Sequence, residues 1–214
     1  VVPSKLADML RVGKLDAALV SITEILFHEG YDILDGAAIA SRGEVKSVFL
    51  AHRQPLEEIE VIHSDSASLT SVNLLRVLLA ERGLYPKFEP LSDYSRAALL
   101  QNVLLIGNPG INFVHAPHDH AIWDLGTAWH ELTHLPFVYA VWALRRGHHD
   151  AALRKKLRAS KIGGLAQLEQ TICDHPEFDP DFRRSYLGSH IHYDLGDEEK
   201  AGLARFIELL KKHQ

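Results

Sequence analysis

The stretch VIHSDSASLTSVNLLRVLLAERG, residues 61–83, decides the fold class. Val61 to Asp65 is predicted to form a strand, and a helix is predicted from about Thr70 to Arg82, with Gly83 as its end. The apolar positions of this helix recur at helical spacing, at Leu74, Leu75, Leu78 and Leu79. A strand that turns directly into such a helix is the building unit of a layered α/β protein.

The polar turn between this strand and this helix predicts an anion-binding site. Ser68 is a candidate N-cap, and Thr70 and Ser71 lie in the first helical turn. Backbone amides at a helix N-terminus point outward and the helix dipole favours negative charge, so amides and hydroxyls together can hold a carboxylate or a phosphate. Plain N-capping is the alternative. Ser21 and Ser41 each end a predicted strand, where ligands of open α/β sheets commonly bind, so a shared cleft is predicted.

Other helices and strands are predicted to alternate along the chain. A helix that opens at Pro3 and ends near Gly13 leads into a strand over 16–21, whose apolar run indicates burial on both faces in a parallel sheet. Extended segments are predicted over 37–41, 45–50, 87–91, 103–106 and 137–144, a loop over 108–125, and helix over most of the chain after 144, including 199–212.

Composition favours a globular protein and excludes several classes. The 214 residues are 46% hydrophobic and carry a net charge of −5, with Lys and Arg scattered, so no nucleic-acid partner is predicted. A single cysteine, Cys173, cannot form an internal disulfide. No apolar run approaches the ~20 residues of a membrane helix, and residues 1–5 show no signal pattern. We therefore expect a cytoplasmic protein with no membrane partner.

Residues 130–134, HELTH, match the H-E-x-x-H pattern of zinc hydrolases. In such enzymes the motif lies inside a continuing helix, whereas here Pro136 disfavours helix at Leu135. The extended form of the motif fails as well, since Phe137 and Val141 stand where a glycine and a third ligand are needed. We interpret His130 and His134 as surface histidines.

A second histidine cluster comprises His115, His118 and His120. Spacing of this kind can hold a transition metal. No cysteine or carboxylate pattern completes a site, so the favoured interpretation is a polar loop with solvated imidazoles. No metal site is therefore predicted.

Several stretches taken in chain order form a set: VPSKL (2–6), GKLDAALV (13–20), IAS (39–41), VKSV (45–48), PLEEI (55–59), most of 65–79, LLIG (104–107), LPFVYAVW (135–142) and YDLG (193–196). Together they resemble the chorismate dehydratases of the futalosine route to menaquinone. The set runs through nearly the whole chain. In that family the stretch that contains residues 130–134 has no histidines at positions 130 and 134, so the resemblance also argues against zinc.

The resemblance implies a two-lobed, type II periplasmic-binding-protein-like α/β fold with the ligand cleft between the lobes. Lobe 1 would comprise residues 1–44 and 136–214, and lobe 2 residues 45–135. The family begins with a strand that lines the cleft, and this chain is expected to start after it. The implied reaction dehydrates chorismate, a dicarboxylate, to 3-[(1-carboxyvinyl)oxy]benzoate without a cofactor, and a homodimer is left open. The candidate substrate-binding residues are Ser21, Ser41, Ser68, Thr70, Ser71, Gly107 and Asn108.

Two other functions stay open at this point. A non-catalytic protein that closes on a small carboxylate would use the same fold. Two departures from the family pattern favour it, since Leu69 stands where relatives usually carry Arg and Asn108 where they tend to carry Asp. The related dihydroxynaphthoate synthase is ranked lower because the YDLG stretch at 193–196 resembles the dehydratase branch.

Overall fold

The computed structural model describes residues 3–65, 69–147, 151–174 and 176–213. Its strands are β1 (Ala17–Ser21), β2 (Tyr31–Ser41), β3 (Val48–His52), β4 (Val61–Ser64), β5 (Lys87–Pro90), β6 (Asn102–Ile106), β7 (Ala121–Asp124) and β8 (Phe137–Arg145). Its α-helices are α1 (Pro3–Arg11), α2 (Ile22–Phe27), α3 (Leu69–Ala80), α4 (Asn108–His115), α5 (Leu125–Thr133), α6 (Ala151–Ala166), α7 (Leu168–Asp174), α8 (Pro180–Ser185) and α9 (Asp197–Lys212). Among the helices described, none has the length and apolar character needed to cross a membrane.

The first sheet has three strands in the order β1-β8-β2, and both pairings are antiparallel. The prediction of a parallel sheet for β1 was wrong. Burial alternates along β1, with Ala18 and Val20 buried and their neighbours partly exposed, as expected for a strand with only one face on the core. Short apolar side chains on both faces concealed this alternation in the sequence.

The second sheet has five strands in the order β5-β4-β6-β3-β7. β4 pairs in parallel with β5 and β6, as the strand-to-helix pattern of residues 61–83 requires, whereas β3 runs antiparallel to β6 and β7. The central strands β3 and β6 are buried along most of their length. Helix α3 follows β4 and its apolar face is buried, as predicted.

A continuous apolar core joins the two sheets. The same cluster of buried side chains holds Ala40 and Val141 of the first sheet together with Leu50 and Leu104 of the second. An aromatic group lies within it, where Trp129, Phe137 and Phe206 have ring centroids 5.0–6.0 Å apart and bring together α5, β8 and α9. The proposed lobe boundaries at 44/45 and 135/136 stay a prediction; the strands of the two sheets fall on either side of them.

The predicted loop over 108–125 was wrong, because the segment contains α4 and β7. Pro109 occupies the first turn of α4, where a fixed φ and a missing N–H cost nothing, and Gly107 precedes it with φ 65°. The sequence analysis took these residues as breakers, whereas they start a helix. The other predicted strands and the helical content after residue 150 are confirmed, but β2 begins at Tyr31, six residues before the predicted segment 37–41, and β3 begins at Val48, three residues after the predicted start at 45.

Candidate functional site

A cavity of about 650 Å³ lies between the two sheets. We call it the cleft, and it is lined by Ser21, Ile39, Val45, Ser47, Val48, Asp65, Thr70, Ser71, Tyr94, Ile106, Gly107, Asn108, Pro109, Tyr139, Ala140, Tyr186 and Ile191. Its volume falls in the range that suits a small organic ligand. Five of the seven candidate residues line it: Ser21, Thr70, Ser71, Gly107 and Asn108.

A chain of hydroxyl groups joins the two sides of the cleft. Ser21 Oγ lies 3.1 Å from Thr23 Oγ1, which lies 3.1 Å from Thr70 Oγ1. The backbone N–H of Thr23 also points at Thr70 Oγ1, at 3.4 Å. Ser21 ends β1 of the first sheet and Thr23 lies in α2, whereas Thr70 belongs to the first turn of α3, which follows β4 of the second sheet. Two positions predicted separately from the sequence are therefore connected through one intervening hydroxyl.

The starts of two helices border the cleft. Thr70 and Ser71 begin α3, and Gly107, Asn108 and Pro109 form the start of α4. Helix α4 has no side-chain cap at Gly107, and Ser68, the predicted N-cap of α3, lies outside the described residues. Both helices follow strands of the second sheet, β4 and β6, whose parallel pairing brings the two starts to one edge. The dipole of each helix favours negative charge near its start.

Two tyrosine–serine pairs stand on the walls of the cleft. Tyr139 Oη lies 3.2 Å from Ser41 Oγ, and Tyr186 donates a hydrogen bond of 2.9 Å to Ser47 Oγ. Burial raises the pKa of Tyr139 and of Tyr186 above the ordinary phenol value, so both phenols stay neutral. Neutral phenols in an apolar wall can donate a hydrogen bond to a ligand oxygen.

Ser41 does not line the cleft. It is fully buried at the end of β2, and its hydroxyl lies behind Tyr139. A Cβ added at Gly126, in the first turn of α5, would lie 2.8 Å from Ser41 Oγ and 2.3 Å from the carbonyl oxygen of Gly43. The backbone of α5 therefore covers Ser41, which reaches the cleft only through Tyr139.

Asp65 and Tyr94 form a hydrogen-bonded pair at the cleft. Tyr94 donates to Asp65 Oδ2 at 2.6 Å from a 3-10 turn over Tyr94–Leu99. Burial, followed by this hydrogen bond, raises the pKa of Tyr94, so the phenol keeps its proton. Asp65 is the single charged side chain among the described residues that line the cleft, and no Lys or Arg joins it there. A carboxylate in this position can accept a proton.

Asp124 fixes the segment that leads from the first sheet into the second. Its carboxylate accepts hydrogen bonds from the backbone N–H groups of Val45 and Lys46, at 3.1 and 2.8 Å, and from that of Thr127 at 2.9 Å. Lys46 takes φ 61°, a backbone conformation in the left-handed region. The neighbours of Lys46, Val45 and Ser47, are thereby directed into the cleft.

The zinc-like motif lies on the surface, as predicted. Helix α5 ends at Thr133, and His134 follows in the left-handed conformation with φ 57°. The imidazoles of His130 and His134 are exposed, with ring centroids 6.0 Å apart. In the part of the chain that the structure describes, no group of three or more His, Cys, Asp or Glu side chains has the geometry to hold a metal ion.

The second histidine cluster differs from the prediction. His115 is exposed at the end of α4, but His120 is 7% exposed and its Nε2 lies 2.8 Å from the carbonyl oxygen of Leu100. His118 is half-buried and stacks on Phe113 with centroids 4.9 Å apart. The expectation of three solvated imidazoles was wrong, because α4 and the start of β7 fold these rings against Phe113.

Sequence reasoning missed Thr23, Ser47, Tyr94, Tyr139 and Tyr186, all of which lie in or next to the cleft. Ser47 lies just before β3, and Tyr139 lies two residues after the start of β8. Polar side chains near strand ends were therefore the signal that could have found them. Tyr186 carried no local signal, since a π-helical turn over Tyr186–His190 brings it to the cleft from a distant part of the chain.

The fold is that of the periplasmic-binding-protein-like α/β proteins. A structure of a protein from Archaeoglobus fulgidus covers 99% of this chain and 84% of its own length, with a TM-score of 0.69 at 15% identity. The periplasmic aliphatic sulphonate binding protein of Escherichia coli matches 99% of this chain and 79% of its own, with a TM-score of 0.67 at 16% identity. The predicted fold class is confirmed.

Sequence comparison then gives the family. A family model described as menaquinone biosynthesis matches residues 1–212. The chorismate dehydratase of Thermus thermophilus is 32% identical over 230 aligned residues, which cover 98% of this chain and 84% of the relative. The chain belongs to this menaquinone-biosynthesis family.

Proposed function

We propose that this protein is a hydro-lyase that dehydrates chorismate to 3-[(1-carboxyvinyl)oxy]benzoate in the futalosine route to menaquinone, without a cofactor. The observation that carries the proposal is the cleft of about 650 Å³, where the starts of two helices meet hydroxyl groups from the opposite sheet. The Thermus thermophilus relative named chorismate dehydratase supports the choice of substrate.

The two helix starts suit a substrate with two carboxylates. One carboxylate would rest on the amides and hydroxyls of Thr70 and Ser71, and the second on the amides near Gly107 and Asn108. Among the described lining residues the cleft has no Lys or Arg, so amide dipoles and hydroxyls would supply the positive potential. Ser21 would complete the first of these positions through Thr23.

Asp65 would accept the ring proton. When the C–H bond breaks, its electron pair forms the third double bond of the ring, and the neighbouring C–O bond breaks. The oxygen leaves as hydroxide and takes up a proton from solvent, and Asp65 later releases the ring proton to solvent, so one water is lost in total. Tyr139, neutral because burial raises its pKa, can donate a hydrogen bond to the departing oxygen when Ser41 is the donor in their contact, whereas Tyr186 already donates to Ser47. Aromaticity of the product supplies the driving force, so orientation and one proton acceptor suffice.

The test incubates the protein with chorismate and follows the aromatic product by liquid chromatography and mass spectrometry. Asp65→Asn is the matched variant, because it keeps the size of the side chain and removes its basicity. We expect turnover by the unmodified chain and a large loss in the variant. Binding of chorismate with no product would exclude the lyase.

A carboxylate-binding protein without chemistry is the second candidate. It is favoured by Asn108, whose side chain donates to Glu177 Oε2 at 2.9 Å across the cleft edge rather than facing a ligand. Tight chorismate binding, unchanged in Asp65→Asn and without turnover, would establish it. A cytoplasmic location and the possibility of a homodimer stay predictions of the resemblance.

A further inference from the structure

A second cavity of about 650 Å³ lies along α3, away from the cleft. We call it the groove, and it is formed by α3, β5 with the residues before it, and the end of α9. Its apolar lining includes Val77, Ala80, Leu84, Phe88 and Leu210. Tyr85, also in the lining, is 75% exposed, so a large aromatic ring stands in solvent beside an apolar floor.

Two cations in the groove have no carboxylate partner. In the described residues, Arg76 makes neither an ion pair nor a hydrogen bond; its guanidinium carbon lies 4.8 Å from the centroid of the Phe88 ring. Lys87 likewise forms no ion pair within those parts of the chain. Eleven of the Lys and Arg side chains in the described residues form an ion pair, as Arg42 does with Glu198 and Glu199. Two unpaired cations beside one apolar cavity thus attract an anion.

The other titratable groups of the groove are already engaged. Glu89 also lines the groove; it lies on the same face of β5 as Lys87, opposite Phe88, and 3.6 Å from His63. His213 Nε2 lies 2.5 Å from Glu81, which also pairs with Lys212 at 2.7 Å. With Glu89 counted against Arg76 and Lys87, the charged side chains of the groove leave one net positive charge.

We propose that the groove is a second ligand site for an aromatic carboxylic acid. The ring would lie on the apolar floor beside Tyr85 and Phe88, and the carboxylate would pair with Arg76, with Lys87 adding positive charge nearby. Arg76 suits this role because a guanidinium held over one ring still presents its N–H groups to a carboxylate. A ligand there contacts α3, the helix whose first turn lines the cleft, so the site is placed to influence substrate binding.

Arg82 provides a matched control. It follows α3 by two residues and its guanidinium lies 5.0 Å from the centroid of the Trp123 ring, much as Arg76 does with Phe88. Its pocket is smaller, about 240 Å³, and also contains Glu81 and Glu131, so it lacks the excess positive charge.

The experiment titrates the full chain with biphenyl-4-carboxylate by isothermal calorimetry, with the neutral biphenyl-4-carboxamide beside it. We expect saturable binding of the acid, at least tenfold weaker binding of the amide, and a loss of about tenfold or more in the double variant R76Q/K87Q. R82Q should bind the acid as the unmodified chain does.

The proposal fails if the acid does not bind at millimolar concentration, or if R76Q/K87Q binds it unchanged. It also fails if Thr70→Val abolishes binding, since the probe would then occupy the cleft. Thermal melts of each variant show whether it is folded, and Lys87→Gln alone, on the exposed edge strand β5, provides a folded variant if the double one is unstable.

Discussion

The cleft and the groove have the same volume, touch the same helix, and differ in how they present positive potential. The cleft offers hydroxyls and helix amides with one carboxylate, and no Lys or Arg among its described lining residues. The groove offers Arg76 and Lys87 over an apolar floor. Backbone amides at a helix start are fixed in position, so they hold an anion in one place. The attraction of exposed side-chain cations for an anion is weakened by dissolved salt. The cleft is therefore suited to hold a bound anion in one orientation, and the groove to attract an anion from solution.

The largest expected effect separates chemistry from binding. Asp65→Asn should lower the turnover of chorismate by about 10²–10⁴-fold, the usual contribution of a general base. Calorimetric binding of biphenyl-4-carboxylate in the groove should not change. A variant that retains full turnover would remove Asp65 as the proton acceptor. Tyr94→Phe, which deletes only the hydrogen bond to Asp65, should cost much less.

A second substitution tests the hydroxyl chain across the cleft. Thr70→Val removes the buried hydroxyl that meets Thr23, and should lower the free energy of unfolding by about 1–3 kcal/mol. Chorismate affinity should also fall. Thr70→Ser keeps the hydroxyl and is the control, expected to retain most of both. Equal denaturant midpoints for Thr70→Val and Thr70→Ser would show that this chain of hydroxyl groups contributes nothing to the free energy of unfolding.

Salt should distinguish the two cavities. Raising ionic strength from 0.05 to 0.5 M shortens the Debye length severalfold, so binding of biphenyl-4-carboxylate beside the exposed Arg76 should weaken by about tenfold. Chorismate binding in the cleft should change less, because buried dipoles are screened less than exposed charges. Greater salt sensitivity of chorismate binding than of biphenyl-4-carboxylate binding would contradict the assignment of helix amides to the cleft and side-chain cations to the groove.

The smallest effect concerns pH. Burial, then the hydrogen bond to Glu24, raises the pKa of Tyr31 to about 12, and burial also raises those of the cleft residues Tyr139 and Tyr186. The unfolded chain loses these protons near pH 10, while the folded chain keeps them. The contribution of Tyr31 to stability is therefore complete below pH 10 and is lost as the pH rises through about 12, and those of Tyr139 and Tyr186 are likewise complete below pH 10. Urea unfolding at pH 8 and pH 11 measures the loss, which Tyr31→Phe should reduce.

Local pattern predicted much of this molecule. The stretch at 61–83 encodes a strand, a turn and a helix in sequence neighbours, and so α3 and the position of Thr70 followed directly. Ser21 was predicted for the cleft because it ends a strand, whereas Gly107 and Asn108 came from the family resemblance, and all three line it. Whether they bind substrate stays a prediction.

What the sequence did not predict depends on tertiary packing. Ser41 ends a strand as Ser21 does, but the close approach of α5 at Gly126 buries it, and no local signal reports that approach. Tyr186 enters the cleft through a turn more than a hundred residues from α3 in the sequence. The Gly107–Pro109 segment was misjudged because the same residues that break a helix interior also start a helix.

A crystal structure with the reaction product soaked in would test the central claim most directly. The account predicts density for the dicarboxylate between the two sheets, with one carboxylate on the first turn of α3 at Thr70 and Ser71 and the other at the start of α4 near Gly107. Density only outside the cleft, or a bound product whose carboxylates contact neither helix start, would contradict it.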